Sequence, residues 1–386
     1  MNSVQKILAK LVSFPILGGD SNLAIVDYIT AFLDQYGVEY HLIPNKEGTK
    51  KLIHARIGPA VDGGIILSGH TDVVPIAGQD WDTDPFVLIE KEGNLYARGS
   101  CDMKGYLACC LAIIPEMVKA DLKRPIYLAF SYDEEIGCMM GTPMAEAIRD
   151  HYQERPQFAI IGEPSMLQPI VGHKGIVVYE TTVHGSAGHS SRIRQEVSSI
   201  HEAAKLVVWL ENKMNSLVKA GRIDERFSPP HTSIHIGQFN GGIAPNVIAD
   251  KCTFSWDVRN IPMDNIETIR AEFDQYCQAQ EKLLQQRFSG AKIETIIGHP
   301  LVPALDTPEH LAVVPLIKKL SRVEEVNTVA YAAEAGQFSN TGFESVICGP
   351  GSIAQAHRAN EFISVEQLDL GVEFIRRVME YCNEKF

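Results

Sequence analysis

The chain has no CxxC pair, no long apolar run and no excess of positive charge, and each absence removes a class of function. Its eight cysteines, Cys101, Cys109, Cys110, Cys138, Cys252, Cys277, Cys348 and Cys382, are scattered, most of them within apolar stretches. That usage fits small buried hydrophobes in a reducing compartment and argues against a disulfide framework. No run reaches the roughly 18 apolar residues of a membrane span. The opening segment MNSVQKILAKLVSFPILGG is amphipathic but carries no long apolar h-region or small-residue cleavage site. A cytoplasmic protein is expected. The formal net charge of −13 opposes binding to nucleic acid or to an anionic membrane, both of which call for basic patches. No block of like charge marks an interaction tail, and internal repeats and low-complexity tracts are missing as well.

What remains is an ordinary globular composition, 45% hydrophobic and 22% charged, over 386 residues. That length exceeds the usual single domain, so two domains are expected. Up to about residue 175, short apolar runs alternate with helical stretches. NLAIVDYITAFLDQYG has an apolar face at i, i+3, i+4 and stops at Gly37, and GYLACCLAIIPEMVKADL is apolar on most faces, as a buried helix would be. HLIPN, KLIHARIG and GGIILSG read as strands. PIYLAFSY and QFAIIG are near-continuous apolar runs, the pattern of a sheet covered on both sides. This alternation predicts an α/β layer fold with a mixed, mainly parallel sheet flanked by helices.

The rhythm then changes. GIVVYETTVHG, TSIHIGQFNGG, CTFSWDVRNIP and AKIETIIGHP read as strands, and SSIHEAAKLVVWLENKMNSLVKAG and NIETIRAEFDQYCQAQEKLLQQ as helices. Their order, βαββαβ, is the ferredoxin-like unit. The strand SVICG and the helix EQLDLGVEFIRRVMEYCNEK then resume the α/β character. The predicted organisation is a catalytic domain over residues 1–175 and 295–386 and an inserted α+β domain over 176–294.

Chemistry-bearing residues collect where apolar strands run out, the place where open α/β sheets hold their ligands. His70 closes IILSGHTDVV, Glu134 and Glu135 follow IYLAFSY, Glu163 ends FAIIGEPS, and His357 lies in GPGSIAQAHRANEF beyond SVICG. Acids and imidazoles are costly beside apolar strands unless something pairs with them, and divalent metal ions do so. Two ions about 3.5–4 Å apart need a bridging carboxylate. Asp102 fits, since its glycine-flanked segment ARGSCDMKG allows the tight turn that delivers a short side chain between them. Asp72, two residues after His70, can orient that imidazole through its other ring nitrogen. Of the adjacent pair Glu134 and Glu135, one can bind metal while the other handles protons, because a water acidified by metal still needs a base. Glu163 can equally cap the turn before Pro164, and His357 alone can be a satisfied loop histidine. Cys101 stands beside Asp102, but carboxylate-rich dinuclear sites rarely use a thiolate.

In the inserted domain, HGSAGHSS exposes His189 among small neighbours, where it can donate to a developing oxyanion. The bland alternative is a helix N-cap, with Ser190 or Ser191 capping SSIHEAAKLV. NGGIAPNVIAD and WDVRN supply Asn246 and Arg259. Arg259 is a candidate clamp for a substrate carboxylate, or one half of a surface ion pair.

Taken together, GHTDVVP, ARGSCDMKG, DEEIG, GEPS, HGSAGHSS, GGIAPNVI and GPGSIAQAHRANEF closely resemble the dinuclear zinc family of aminoacylases, desuccinylases and glutamate-type carboxypeptidases, over essentially the whole length. GPGSIAQAH and VGHKG lean toward the branch that deacetylates N-acetylornithine, and His173 and Lys174 stand where the desuccinylase branch usually carries an arginine pair. The resemblance implies two divalent ions, zinc or cobalt, one held by His70 and Glu163 and the other by Glu135 and His357, with Asp102 between them. It further implies Asp72 behind His70, Glu134 as general acid and base, and a cis peptide bond after Asp102. The inserted domain would be a lid that dimerises and brings His189 to the reacting carbonyl. The expected substrate is a small N-acyl amino acid. A catalytically silent metal scaffold is disfavoured, because Glu134 and all five ligands are present.

Overall fold

The computed structural model describes residues 3–384, so the outermost two positions at each end of the predicted catalytic domain lie outside the described residues. The chain divides into two compact units. One comprises the residues up to Gly172, Leu305–Thr328 and the chain from Ala333 onward; the other comprises His173–Ala304 and Val329–Ala332. The chain rejoins the first unit at Leu305, not at residue 295, because strand Lys292–Val302 pairs along its length with Ile176–His184.

The first unit is built on a nine-stranded mixed sheet. Three strands at its heart, Ile65–His70, Ile126–Ser131 and Phe158–Pro164, are buried at every position, in keeping with their largely apolar sequences. Ile65–His70 lies between the other two and parallel to both, with Leu67 opposite Leu128 on one side and Ile160 on the other. Glu344–Gly349 extends the parallel set beside Phe158–Pro164. Lys51–Ile57 and then Tyr40–Pro44 close one side with antiparallel pairing. Ile170–His173, flanked by Leu305–Asp306 and Asn327–Val329, closes the other.

Helix Lys104–Met117 buries nearly all of its surface against the sheet and two further helices, Ser3–Val12 and Val365–Asn383. Ser3–Val12 presents Val4, Ile7, Leu8 and Leu11 to the core, the spacing of one helical face. Val365–Asn383 starts at a built cap, where Ser364 Oγ accepts from the Gln367 N–H at 3.0 Å.

The second unit is a four-stranded antiparallel sheet ordered Ser233–Gly241, Lys251–Arg259, Ile176–His184, Lys292–Val302, with helices Ser199–Lys219 and Ile266–Gln285. This is the ferredoxin-like arrangement expected from the βαββαβ order. Strand Lys251–Arg259 alternates strictly between buried and half-exposed positions, and Phe254 and Trp256 meet Phe273 and Leu206 in the core.

Because the central strands of the first unit are parallel, their carboxyl ends lie together, and the loops leaving them converge. One close approach there depends on a missing side chain. A Cβ on Gly162 would lie 2.1 Å from the ring of buried Tyr106, one residue before Glu163. We expect Gly162→Ala to lower unfolding stability by about 1–3 kcal/mol through overpacking. Urea denaturation checks this, and an unchanged midpoint would show that the ring can yield.

Candidate metal centre

His70, Asp102, Glu134, Glu135, Glu163 and His357 come together at the carboxyl ends of the first unit's parallel strands. Asp102 occupies the middle. One of its oxygens lies 3.2 Å from His70 Nε2 and the other 3.3 Å from His357 Nε2. His70 Nε2 is also 3.7 Å from Glu163 and 4.0 Å from Glu134, while His357 Nε2 is 3.0 Å from Glu135. A carboxylate with one oxygen toward each imidazole is placed as a bridge between two cations. Among the described residues, two groups bring three donor atoms within 4.8 Å of one another: His70, Glu134 and Glu163, and His70, Asp102 and Glu135.

Local chain geometry explains the convergence. Asp133 and His357 both adopt positive φ, 58° and 63°, which turns the chain sharply just before Glu134 and at the second imidazole. Glu134 and Glu135 occupy a turn, closed by the Gly137 N–H donating to the Glu134 carbonyl at 2.9 Å. Their side chains still diverge, Glu134 toward His70 and Glu135 toward His357. Asp102–Met103 is a cis peptide bond, as the family resemblance implies.

Asp72 holds two parts of the centre. Its carboxylate accepts the backbone N–H groups of Glu134 and Glu135 at 3.3 and 3.1 Å, tying their loop to the strand of His70. The acceptor within hydrogen-bond distance of His70 Nδ1 is the Asp72 backbone carbonyl, at 3.0 Å. The carboxylate stands at 3.6 Å, too long for a hydrogen bond, and so contributes charge more than tautomer control.

The electrostatics describe a site short of positive charge. Burial, reinforced by Glu135, Glu334 and Asp102, outweighs His70 and pushes Glu134 up to about 8. Burial and neighbouring acids also raise Glu135, and they raise Glu163 well above the carboxylate range. Contacts with Asp102 and Glu135 lift His357 to about 10. Burial opposes charge on His70, but Asp102 and Asp72 hold its pKa well above the usual value. Glu135 Oε1 and Glu163 Oε1 are buried with no hydrogen-bond partner. Oxygens so stranded are costly, and a cation satisfies them. Two divalent ions would balance the four carboxylates Asp102, Glu134, Glu135 and Glu163, so the residues fit the group. Cys101 is not part of it: its thiol donates to the Ser352 carbonyl at 3.3 Å, and burial, then Glu361 and Asp102, keep it protonated.

Two contributors escaped the sequence reading. Glu361, only 1% exposed, accepts from four donors. Arg98 Nη1 and the Gly99 N–H reach one oxygen at 2.7 and 3.1 Å, and the Cys101 and Asp102 N–H groups reach the other at 2.9 and 3.0 Å. One buried carboxylate therefore shapes the loop that delivers the central aspartate. Glu334, also buried, hydrogen-bonds Ser131 Oγ at 3.1 Å and is pushed up to about 7 by burial. The only sequence signal for Glu361 was its place in HRANEF, four residues after His357.

The remaining predicted site residues belong to the second unit. His189 pairs with Val247 in a two-residue ladder, and the Ser190 N–H donates to the Asn246 carbonyl at 3.0 Å, so these two loops are neighbours. His189 Nδ1 lies 2.9 Å from Ser191 Oγ. Neither Ser190 nor Ser191 caps the long helix; Ser198 does, accepting from the His201 N–H, because the chain first makes a short 3-10 turn at Ser190–Arg192. Arg259 Nε stands 3.6 Å from Asp257 Oδ1, a loose ion pair at a strand end.

Comparison with known proteins gives a consistent result. The model of peptidase family M20/M25/M40 matches residues 66–381. An acetylornithine deacetylase of Proteus mirabilis is 32% identical over 365 residues, covering 94% of this chain and 91% of its own. Another from Aliivibrio salmonicida is 30% identical over 364 residues, covering 94% and 93%. A tripeptidase of Staphylococcus aureus shares the fold with a TM-score of 0.77 at 18% identity, covering 99% of this chain and 98% of its own. A metallo-carboxypeptidase of Sulfolobus solfataricus does so with a TM-score of 0.77 at 18% identity, covering 99% and 100%.

Glu361→Gln would replace one acceptor by an amide NH₂ facing backbone donors. We expect it to weaken metal retention by about 10–100-fold. Metal content after dialysis against a graded chelator series measures this, and wild-type retention would refute the scaffold role.

Proposed function

Because the chain belongs to peptidase family M20/M25/M40, and is therefore a metallo-hydrolase, we propose that it hydrolyses the amide bond of N2-acetyl-L-ornithine to acetate and L-ornithine, within arginine biosynthesis. The observation that carries the reaction class is Asp102, with one oxygen toward His70 and the other toward His357. The substrate rests on the relatives, named as acetylornithine deacetylases at about 30% identity over 94% of the chain.

In this reading His70 and Glu163 would hold one ion and Glu135 and His357 the other, with Asp102 available to both. Zinc is the expected metal, with cobalt as the alternative. Once bound, the ions supply Lewis acidity to the acyl carbonyl and acidify a water. The protein's own residues carry the rest. Asp72 keeps His70 and the Glu134–Glu135 loop in register. Glu134, which stands beside His70 and is assigned to neither ion, takes the proton of the attacking water and passes it to the departing amine. His189 donates to the developing oxyanion, and Arg259 and Asn246 bind the substrate's carboxylate end.

The second unit acts as the lid and as the contact for a homodimer. Strand Lys292–Val302 supports this, since it is an edge strand with Ile296 and Ile297 60% and 63% exposed. Among the described residues no helix is long and apolar enough to cross a membrane, and a cytoplasmic location remains the expectation.

The test is kcat/KM of zinc-reconstituted protein on N-acetylornithine beside N-acetylcitrulline, N-succinyl-diaminopimelate and a dipeptide. We expect a clear preference for N-acetylornithine; a preference for another member of the panel would overturn the substrate and leave the metal chemistry standing. Glu134→Ala should keep its metal yet lose about 10²–10⁴ in kcat. Substantial turnover by that variant would remove Glu134 from the proton path.

A further inference from the structure

The two imidazoles of the metal centre are held in different ways. His70 ends a strand that is buried at every position. His357 lies in the loop between the short turn Ile353–Gln355 and strand Phe362–Ser364, and its side chain is 56% exposed. Positive φ at both His357 and Asn360, 63° and 57°, bends this loop sharply. Residues 356–361 pair with no strand, so individual contacts must fix them.

Two of those contacts come from one distant segment, Gln79–Asp82. Gln79 Nε2 donates to the His357 carbonyl at 2.9 Å. The Asp82 N–H donates to Asn360 Oδ1, also at 2.9 Å. The other end of the Gln79 amide accepts from Arg98 Nη2 and, at 3.3 Å, from Trp81 Nε1. Arg98 in turn donates to Glu361, which holds the backbone N–H groups of Cys101 and Asp102. A continuous hydrogen-bonded path thus joins the His357 backbone, through Gln79, Arg98 and Glu361, to the loop of Asp102.

We propose that Gln79 is a positioning residue for the second metal ion, fixing the loop that carries His357 against the loop that carries Asp102. This rests on the reading of the centre as dinuclear.

The chemistry of the partners selects an amide. Arg98 and Trp81 offer only donors, and the His357 carbonyl only accepts. The side chain between them must therefore present an acceptor on one side and a donor on the other. A carboxamide does both; a carboxylate or an aliphatic group does not. The acceptor end is mounted on a firm base, because Arg98 is buried and its guanidinium lies 5.1 Å from the centre of the Trp81 ring. The Asp82–Asn360 bond, three residues along both segments, adds a second point that resists rotation about the first. His70 has no part in this path, since its Nδ1 faces the Asp72 carbonyl. Loss of Gln79 should be felt by the ion of Glu135 and His357 and not by the ion of His70 and Glu163.

The test is calorimetric titration of metal-free protein with Zn²⁺, wild type beside Gln79→Glu. The variant keeps the size of the side chain and its acceptor for Arg98 and Trp81, but turns a carboxylate oxygen toward the His357 carbonyl. Gln79 is half-buried in a loop, so the protein should fold. Wild type is expected to bind two equivalents. In the variant one of them should weaken by about 10–100-fold while the other is unchanged. Gln79→Ala should show the same selective loss. Two equivalents held as tightly as in wild type, or both weakened alike, would overturn the role of Gln79. Wild-type protein that binds fewer than two would instead sink the dinuclear reading, and the tether with it.

Discussion

Everything at the candidate metal centre depends on one electrostatic constraint: more buried carboxylates than the two imidazoles can neutralise. Asp102, Glu135 and Glu163 are nearly inaccessible, Glu134 lies against them, and two of their oxygens have no hydrogen-bond partner. Left to themselves such groups hold protons, and the raised pKa values of Glu134, Glu135 and Glu163 express this. Divalent cations would resolve the conflict, and the surrounding structure holds the acids in place for them. The apolar strands set the ends from which the ligands project. Asp72 ties the Glu134–Glu135 loop to His70, and Glu361 gathers three backbone N–H groups and Arg98 around the loop of Asp102.

Much of this was legible in the sequence because strand ends are legible. IILSGH, IYLAFS and FAIIGEP are largely apolar, so a histidine or acid at or just beyond their ends stands out against what a buried strand tolerates. The βαββαβ order of the second unit was similarly plain, since alternating strands and long amphipathic helices differ in period. Less legible was anything set by a turn. The turn at Glu134 and Glu135 follows a positive φ at Asp133, a conformation aspartate adopts more readily than most residues but one its presence alone does not announce. Ser190 and Ser191 looked like helix caps, but the intervening 3-10 turn hands that role to Ser198. Glu361 was invisible for another reason. Its partners are backbone N–H groups more than 250 residues away along the chain, and backbone donors carry no sequence signature.

The central claim is that Asp102 bridges two metal ions. It is tested most directly by anomalous diffraction at the zinc edge from zinc-reconstituted crystals. The account predicts two anomalous peaks about 3.5–4 Å apart, each within bonding distance of a different oxygen of Asp102. A single peak, or two peaks with Asp102 bound to only one of them, would contradict it.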